Sequence, residues 1–478
     1  MFHKSILSSR VVLVFLSIYC LVFTMAISAN TQSVVTTHLT VLYENDLHGH
    51  LLPFNDVQFG KDVGGVARRA YLMNKFKKEN PNTLIFDVGD MLTGTLISSL
   101  FQGAADFNIF EKMPYDAMAI GNHDFDYSLV TLRHFIQTGP KPILSANIFQ
   151  QDNVLLTKPY IIKKLAGLNI AIIGLTTPST SMTNSKNVVG LHFGDPTTEL
   201  GKFMPEFKKQ ADLVIVLSHL GYSVDKDMAQ KVKGIDIILG GHSHTKIDSY
   251  EKSGNTIIVQ DYMGGIFLGK LDLTIIDKKI VDQKAVLIPV NSNVPDDKAI
   301  AAYLKPYADK ALKKMNIIVG KTDKDLNESE VGTWLCDVYR KKLNVDMALQ
   351  DMAGTRTAIY KGNVTYNDIY TLLPFDNAMV VLEAKGDLIQ QILNKCDKSS
   401  VSGATFNLIS GKAENIQMDG KPLDLSKTYT IGANDYLANG GAGLSVMKQA
   451  KWVRTDKQQR DMVYDYLKEH PVMSAASK

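Results

Sequence analysis

Between residues 38 and 290, short β-rich apolar runs alternate with helical stretches. His38–Asn45, Thr83–Val88, Ala117–Ile120, Asn169–Leu175, Leu213–Leu217 and Ile235–Leu239 read as strands, with Thr256–Gln260 and Leu268–Ile276 continuing the sheet. Val66–Glu79 and Ser128–Gln137 read as helices. Strands that alternate with helices in this way predict an α/β core.

After Pro295 the pattern changes. Asp296 to Met315 is rich in Lys, Ala and Tyr at helical spacing, and its start, Asp296-Asp297, is acidic as suits a helix N-terminus. A second unit with its own strands and helices follows. The chain has 478 residues, too many for one ordinary core. The division read from the sequence is a leader over residues 1–29, a first domain over 30–295, a linker helix over 296–315 and a second domain over 316–478.

The leader is a separate object. Lys4 and Arg10 precede an apolar run from Val11 to Met25, and the small residues Ala26, Ser28 and Ala29 follow, as at a signal-peptidase site. The competing reading is a single membrane anchor. Small residues behind the run favour cleavage, so a periplasmic or secreted protein with no stable membrane anchor is expected. Tyr19 before Cys20 is too bulky for a lipoprotein signal, and the C-terminal residues form no apolar tail.

Charge adds little. The chain has 52 basic and 49 acidic residues, and without Lys4 and Arg10 the balance is +1. Such a chain has no strong field for a nucleic acid polymer or a membrane surface. Beyond the leader only Cys336 and Cys396 remain, both in helix-like segments and without a metal-binding spacing. Whether they pair is open at this level, and any metal must be held by His, Asp and Asn.

The chemistry lies where the apolar strands end. The strand ends lead into Asn45-Asp46-Leu47-His48-Gly49-His50, Asp87-Val88-Gly89-Asp90, Gly121-Asn122-His123-Asp124-Phe125-Asp126, Ser218-His219-Leu220-Gly221 and Gly240-Gly241-His242-Ser243-His244-Thr245. Singly, each is a reasonable turn composition. Together they bring His48, His123, His219, His242 and His244, five of the eleven histidines, to the strand ends where open α/β sheets bind ligands. Carboxylate, amide oxygen and imidazole together suit two zinc or manganese ions better than magnesium or calcium. Two such ions can clamp an in-line displacement, with a carboxylate bridging them.

Those five motifs, in that order, resemble the calcineurin-like metallophosphoesterases. Ala353-Gly354-Thr355-Arg356, Leu373-Pro374-Phe375-Asp376-Asn377 and Asn434-Asp435-Tyr436-Leu437-Ala438-Asn439-Gly440-Gly441 are similar to the C-terminal domain of the 5′-nucleotidase family. The resemblance implies a four-layer sheet sandwich, a linker helix and a smaller α+β substrate-binding domain. By the same resemblance Asp46 and His48 hold one metal with His244 completing or adjoining it, Asp90 bridges, and Asn122, His219 and His242 hold the second. Asn122 is also expected to meet the substrate. His123 matches the catalytic histidine, oriented by Asp126. Asp124 is expected in a surface or capping role, and His50 in a structural or supporting one. Phe375 and Tyr436 match the pair that sandwiches the base, and Arg356 a phosphate-binding arginine.

The implied activity is release of phosphate from nucleoside 5′-monophosphates through a metal-activated water. Three departures bear on substrate: Asp351 stands for an asparagine, residues 322–330 contain no arginine, and Ala442 stands for the acid that reads the ribose. They raise the standing of a UDP-sugar hydrolase or a 2′,3′-cyclic-nucleotide phosphodiesterase/3′-nucleotidase. A non-catalytic nucleotide-binding protein is the reading from another class.

Overall fold

The computed structural model describes residues 36–474 apart from 57 and 185, so the leader expected over 1–29 lies outside the described residues. Two six-stranded sheets form the first part of the chain. One runs in the order Lys279–Pro289, Phe267–Ile276, Thr36–Glu44, Thr83–Asp87, Ala117–Ala119, Ile143–Leu144. The other runs Glu251–Ser253, Thr256–Val259, Ile237–Gly240, Leu213–His219, Leu168–Thr176, Tyr160–Leu165. The central strands of each are parallel. Their carboxyl ends therefore meet along one edge.

Period-two alternation explains why the strands read as continuously apolar. Leu39, Val41 and Tyr43 face the second sheet and meet Ile170, Ile172, Ile215 and Leu217 there. Leu42 and Ile85 face the opposite way, onto Met73 and Phe110 of the helices Val66–Glu79 and Ala104–Lys112. On the far side Ile173, Val214 and Val216 pack on Leu200 and Phe207 of Pro196–Gln210 and Met228 of Tyr222–Lys231. The result is four layers, helix–sheet–sheet–helix, with both faces of each sheet buried.

Sequence and structure agree within a residue or two on most of these strands. Ser128, read as helical, is instead the N-cap of Leu129–Thr138, its side chain accepting from Thr131 N. The antiparallel strands Tyr160–Leu165 and Lys279–Pro289 were not read from the sequence; they lie half exposed and mix Lys with Ile.

The helix expected from residue 296 begins at Lys298 and ends at Met315, because Asp297 is its cap and accepts from Ala299 N and Ile300 N, both at 3.0 Å. Its apolar stripe, Ile300, Leu304, Ala308 and Ala311, packs into the core of the first layer pair. Beyond it a five-stranded sheet runs Ser399–Ser402, Met347–Asp351, Thr428–Asn434, Ala378–Lys385, Lys451–Gln458. Helices Glu328–Leu343 and Gln459–Glu469 cover one face and Gly386–Leu393 the other.

Cys336 lies in the first of these helices and Cys396 in a 3₁₀ turn, and both are buried free thiols. We expect neither to react with a thiol reagent in the native protein and both to react after denaturation. A native protein whose Cys336 and Cys396 stayed unreactive after denaturation without reductant would instead contain the disulfide. Among the described residues no helix is long and apolar enough to cross a membrane.

Candidate metal centre and active site

At the shared carboxyl edge the chain must leave a strand and turn a polar side chain back over the sheet end within one or two residues. It does so with left-handed backbone at non-glycine positions: φ is 53° at Asp46, 47° at His48, 57° at Asp90, 73° at His242 and 51° at His244. Such conformations cost about 1–3 kcal/mol each and cluster at functional sites. Between the Asp90 and His123 loops only glycine fits, since a Cβ on Gly121 would lie 2.3 Å from Asp90 N.

Two groups result, each fed by both sheets. Asp46, His48 and His244 lie together, as do Asp90, His219 and His242, each set with ligand atoms within 4.8 Å of one another. Asp46 Oδ1 is 3.4 Å from His244 Nε2 and 3.9 Å from His48 Nε2; Asp90 Oδ2 is 3.1 Å from His219 Nε2. His219 Nε2 is also 4.0 Å from Asp46 Oδ1, which places the two groups side by side.

Backbone carbonyls set the imidazoles. His48 Nδ1 donates to Thr93 O at 3.0 Å and His219 Nδ1 to Val88 O at 2.8 Å, so each ring turns its Nε2 inward. Burial opposes charge on His219, but Asp90 and then Asp46 outweigh it and raise its pKa to about 10. Burial, then the neighbouring His219, pushes His242 down to about 4. The chemistry of the donor set fits divalent cations. Asp46 Oδ1, Asn122 Oδ1 and His219 Nε2 are buried polar atoms with no hydrogen-bond partner, although His219 Nε2 is near Asp90. Uncompensated burial of such groups is costly.

His123 stands beside this centre. Its Nδ1 donates to Asp126 Oδ2 at 2.8 Å and its backbone N–H to Asp90 Oδ1 at 2.7 Å. Burial disfavours the imidazolium, yet Asp126 and Asp90 outweigh it and the pKa is raised. From the second part of the chain, Arg356 Nη2 reaches His48 Nε2 at 2.8 Å. Phe375 stacks on His123 with ring centroids 5.2 Å apart, and the Arg356 guanidinium lies 5.6 Å from the Phe375 centroid. Tyr436 packs on Gly441, and its hydroxyl accepts from Ala442 N at 3.0 Å. Asp351 is buried, with Oδ2 accepting from Gly354 N at 2.7 Å.

Asp124 is not on the surface. It is 1% exposed and its carboxylate accepts from Gly121 N, Asp90 N, Met91 N and Leu92 N. It holds neither the surface nor a helix-capping position: it lies within the 3₁₀ turn His123–Phe125, and the Asp90 loop folds over it. His50 is buried, its Nδ1 donating to Leu47 O at 3.0 Å and its ring on Phe54. The sequence reading missed Asn184, which donates to Asn122 O at 2.7 Å, and Asn187, which donates to Asp126 O at 2.8 Å. Both lie more than fifty residues from their partners, in a polar loop with no periodic signal.

Residues 39–246 match the calcineurin-like phosphoesterase family and residues 313–449 the 5′-nucleotidase C-terminal domain. Fold and site thus define a metal-dependent phosphoester hydrolase. The chain belongs to the 5′-nucleotidase family. It is 28% identical to a Vibrio cholerae 5′-nucleotidase over 504 aligned residues, covering 90% of each chain. A Thermus thermophilus 5′-nucleotidase precursor superposes with a TM-score of 0.84 at 28% identity, over 92% of this chain and 98% of that one. A sulfate thiohydrolase from Thermus thermophilus, at 18% identity over 92% of this chain and 95% of that one, shares the fold alone with a TM-score of 0.83.

Proposed function

We propose that the chain is an exported dimetal phosphohydrolase that releases phosphate from nucleoside 5′-monophosphates. The observation that carries this reading is the convergence of three features at one sheet edge: two carboxylate–histidine groups, the His123–Asp126 pair, and Arg356 and Phe375 from the second part of the chain. Asp46, His48 and His244 would hold one ion, Asn122, His219 and His242 the other, with Asp90 between them. Zinc or manganese suits this donor set. Two bound divalent cations supply charge neutralisation and a water acidic enough to attack near neutral pH.

The protein's own groups do the rest. Arg356 offers a planar fork to the phosphate. Phe375 and Tyr436 offer ring faces to the base, which any base can use. His123, held by Asp126, stabilises charge that develops at phosphorus or at the departing oxygen. Residues 1–29 would direct export and then be removed.

A cavity of about 650 Å³ favours a second reading, hydrolysis of a UDP-sugar. It adjoins His48 and Arg356 and extends past Tyr360, Asn363 and Asn367. That volume leaves room for a group beyond a monophosphate. The test is hydrolysis by residues 30–478 of AMP, UMP and 3′-AMP, followed as phosphate release, and of UDP-glucose and a cyclic nucleotide, followed by separation of the monoesters they yield, with chelator and then with Mn²⁺ or Zn²⁺. Metal-restored release from 5′-monophosphates supports the first reading, and turnover confined to UDP-glucose the second. No turnover on any of them would sink both. Arg356→Ala is expected to raise KM at least about tenfold, as loss of a charged hydrogen bond to phosphate implies, with metal content unchanged. An unaltered KM would remove Arg356 from the phosphate site.

A further inference from the structure

The Asp46 carboxylate is divided between a tethered oxygen and a free one. Oδ2 accepts from Asn45 Nδ2 at 2.7 Å and from His242 N at 2.8 Å. Oδ1 accepts from nothing, and lies 3.4 to 4.0 Å from the Nε2 atoms of His244, His48 and His219. The direction of Oδ1 therefore depends on what holds Oδ2. A freely turning carboxylate would not keep one oxygen among three imidazoles.

Both polar side-chain atoms of Asn45 are themselves held, as is its backbone N–H. Its Oδ1 accepts from Asp261 N at 2.9 Å, and its Nδ2 donates to Tyr262 O at 2.6 Å as well as to Asp46. Its backbone N–H donates to Asp261 Oδ1 at 3.2 Å. Asn45 is fully buried and Asp261 is 2% exposed. The reciprocal pair spans the two sheets: Asn45 follows Thr36–Glu44 of one and Asp261 follows Thr256–Val259 of the other. It ties them together at the edge where both candidate metal groups draw ligands from both sheets.

We propose that Asn45 and Asp261 are positioning residues that aim Asp46 Oδ1 at a metal ion. The proposal rests on the two-metal reading above. The Asp261 side chain has one task in it, to accept the Asn45 N–H, and an amide oxygen can do that as well as a carboxylate. Asn45 has the other, to present Nδ2 to Asp46, and no smaller side chain does so. Partners behind a metal ligand typically change affinity by about 10–100-fold when removed.

The experiment is calorimetric titration of the chelator-stripped full chain with Mn²⁺, alongside circular dichroism of the stripped protein. Asn45→Ala is expected to weaken one of two Mn²⁺ sites by about 10–100-fold and to leave the other within a few-fold. Asp261→Ala should move the same site in the same direction, and Asp261→Asn should restore it. Phosphate release by these variants should fall at limiting Mn²⁺ and recover in excess, with KM for the nucleotide unchanged. Wild-type Mn²⁺ affinity in folded Asp261→Ala, or equal impairment of Asp261→Asn and Asp261→Ala, would overturn the proposal. If Asn45→Ala does not fold, the two Asp261 variants decide. Asp46→Asn separates the two levels: unchanged Mn²⁺ binding in that variant overturns the metal reading itself, and the positioning role with it.

Discussion

Replacing His123 with alanine is expected to slow phosphate release by about 10²–10⁴-fold, the range for a positioned acid–base group, while two metal ions per chain remain bound. The physical basis is that His123 adjoins the centre without being one of its two clusters. It bonds Asp126 on one side and shares Asp90 with the metal groups only through its backbone N–H. Losing the imidazole therefore removes a charge-stabilising group and leaves the donors in place. Asp126→Asn keeps the shape but withdraws the negative charge that favours the imidazolium, so a smaller loss is expected, together with a pH profile displaced to lower pH on its acid-requiring limb. Because Phe375 stacks on His123, KM should also move in His123→Ala. Full activity in His123→Ala, with metal content measured at two, would remove it from the chemistry. Loss of activity accompanied by loss of metal would make it a support of the centre instead.

Asp124→Ala is expected to be the most destabilising single change around the site. Its carboxylate satisfies four buried backbone N–H groups, at 2.8 Å from Gly121, 3.1 Å from Asp90, 3.0 Å from Met91 and 3.3 Å from Leu92. Leaving a buried donor unsatisfied costs about 1–3 kcal/mol. Even with partial rescue by entering water, a net loss of about 3 kcal/mol is expected. At roughly 2–4 °C per kcal/mol for a unit of this size, the first unfolding transition should fall by about 6–12 °C. The substitution also frees the loop that carries Asp90, so metal binding should weaken in the same variant. Asp124→Asn would turn an NH₂ group toward one or more of these N–H donors and should not restore the wild-type midpoint. An unchanged midpoint in Asp124→Ala, measured by calorimetry on the metal-stripped chain, would show that the four contacts do not hold the loops together.

These two aspartates differ in how much of them could be read from the chain. Asp126 follows His123 by three residues, so a local turn can join them, and the structure shows a 3₁₀ turn over His123–Phe125. Asp124 accepts from Gly121 within the same motif, but its other three donors, Asp90, Met91 and Leu92, lie more than thirty positions earlier, across two parallel strands, and nothing in GNHDFD reports those contacts. The same holds for Arg356, which reaches His48 across 308 positions. Asn45 was visible only as a neighbour of Asp46, and Asp261 only as a residue at the end of an apolar run.

The α/β character of the first part of the chain was legible for the opposite reason, whereas its four layers were implied only by the family resemblance. An apolar run is a local property, and Leu39–Tyr43, Leu84–Phe86 and Leu213–Leu217 carry it within the strands Thr36–Glu44, Thr83–Asp87 and Leu213–His219. Half-exposed edge strands such as Lys279–Pro289 carry less of it and were missed.

By itself the sequence determined that polar clusters stand at the carboxyl ends of apolar strands, which residue types they contain and in what order, because strand ends, turns and donor chemistry are all encoded within a few residues. Only the tertiary structure decided which of those donors meet. It packed two sheets face to face with their carboxyl ends at one edge, divided the histidines and aspartates into two groups, turned Asp124 inward, and linked Asn45 to Asp261. Those outcomes depend on the packing distance between layers and on hydrogen bonds between residues far apart in the chain, and no local pattern carries that information.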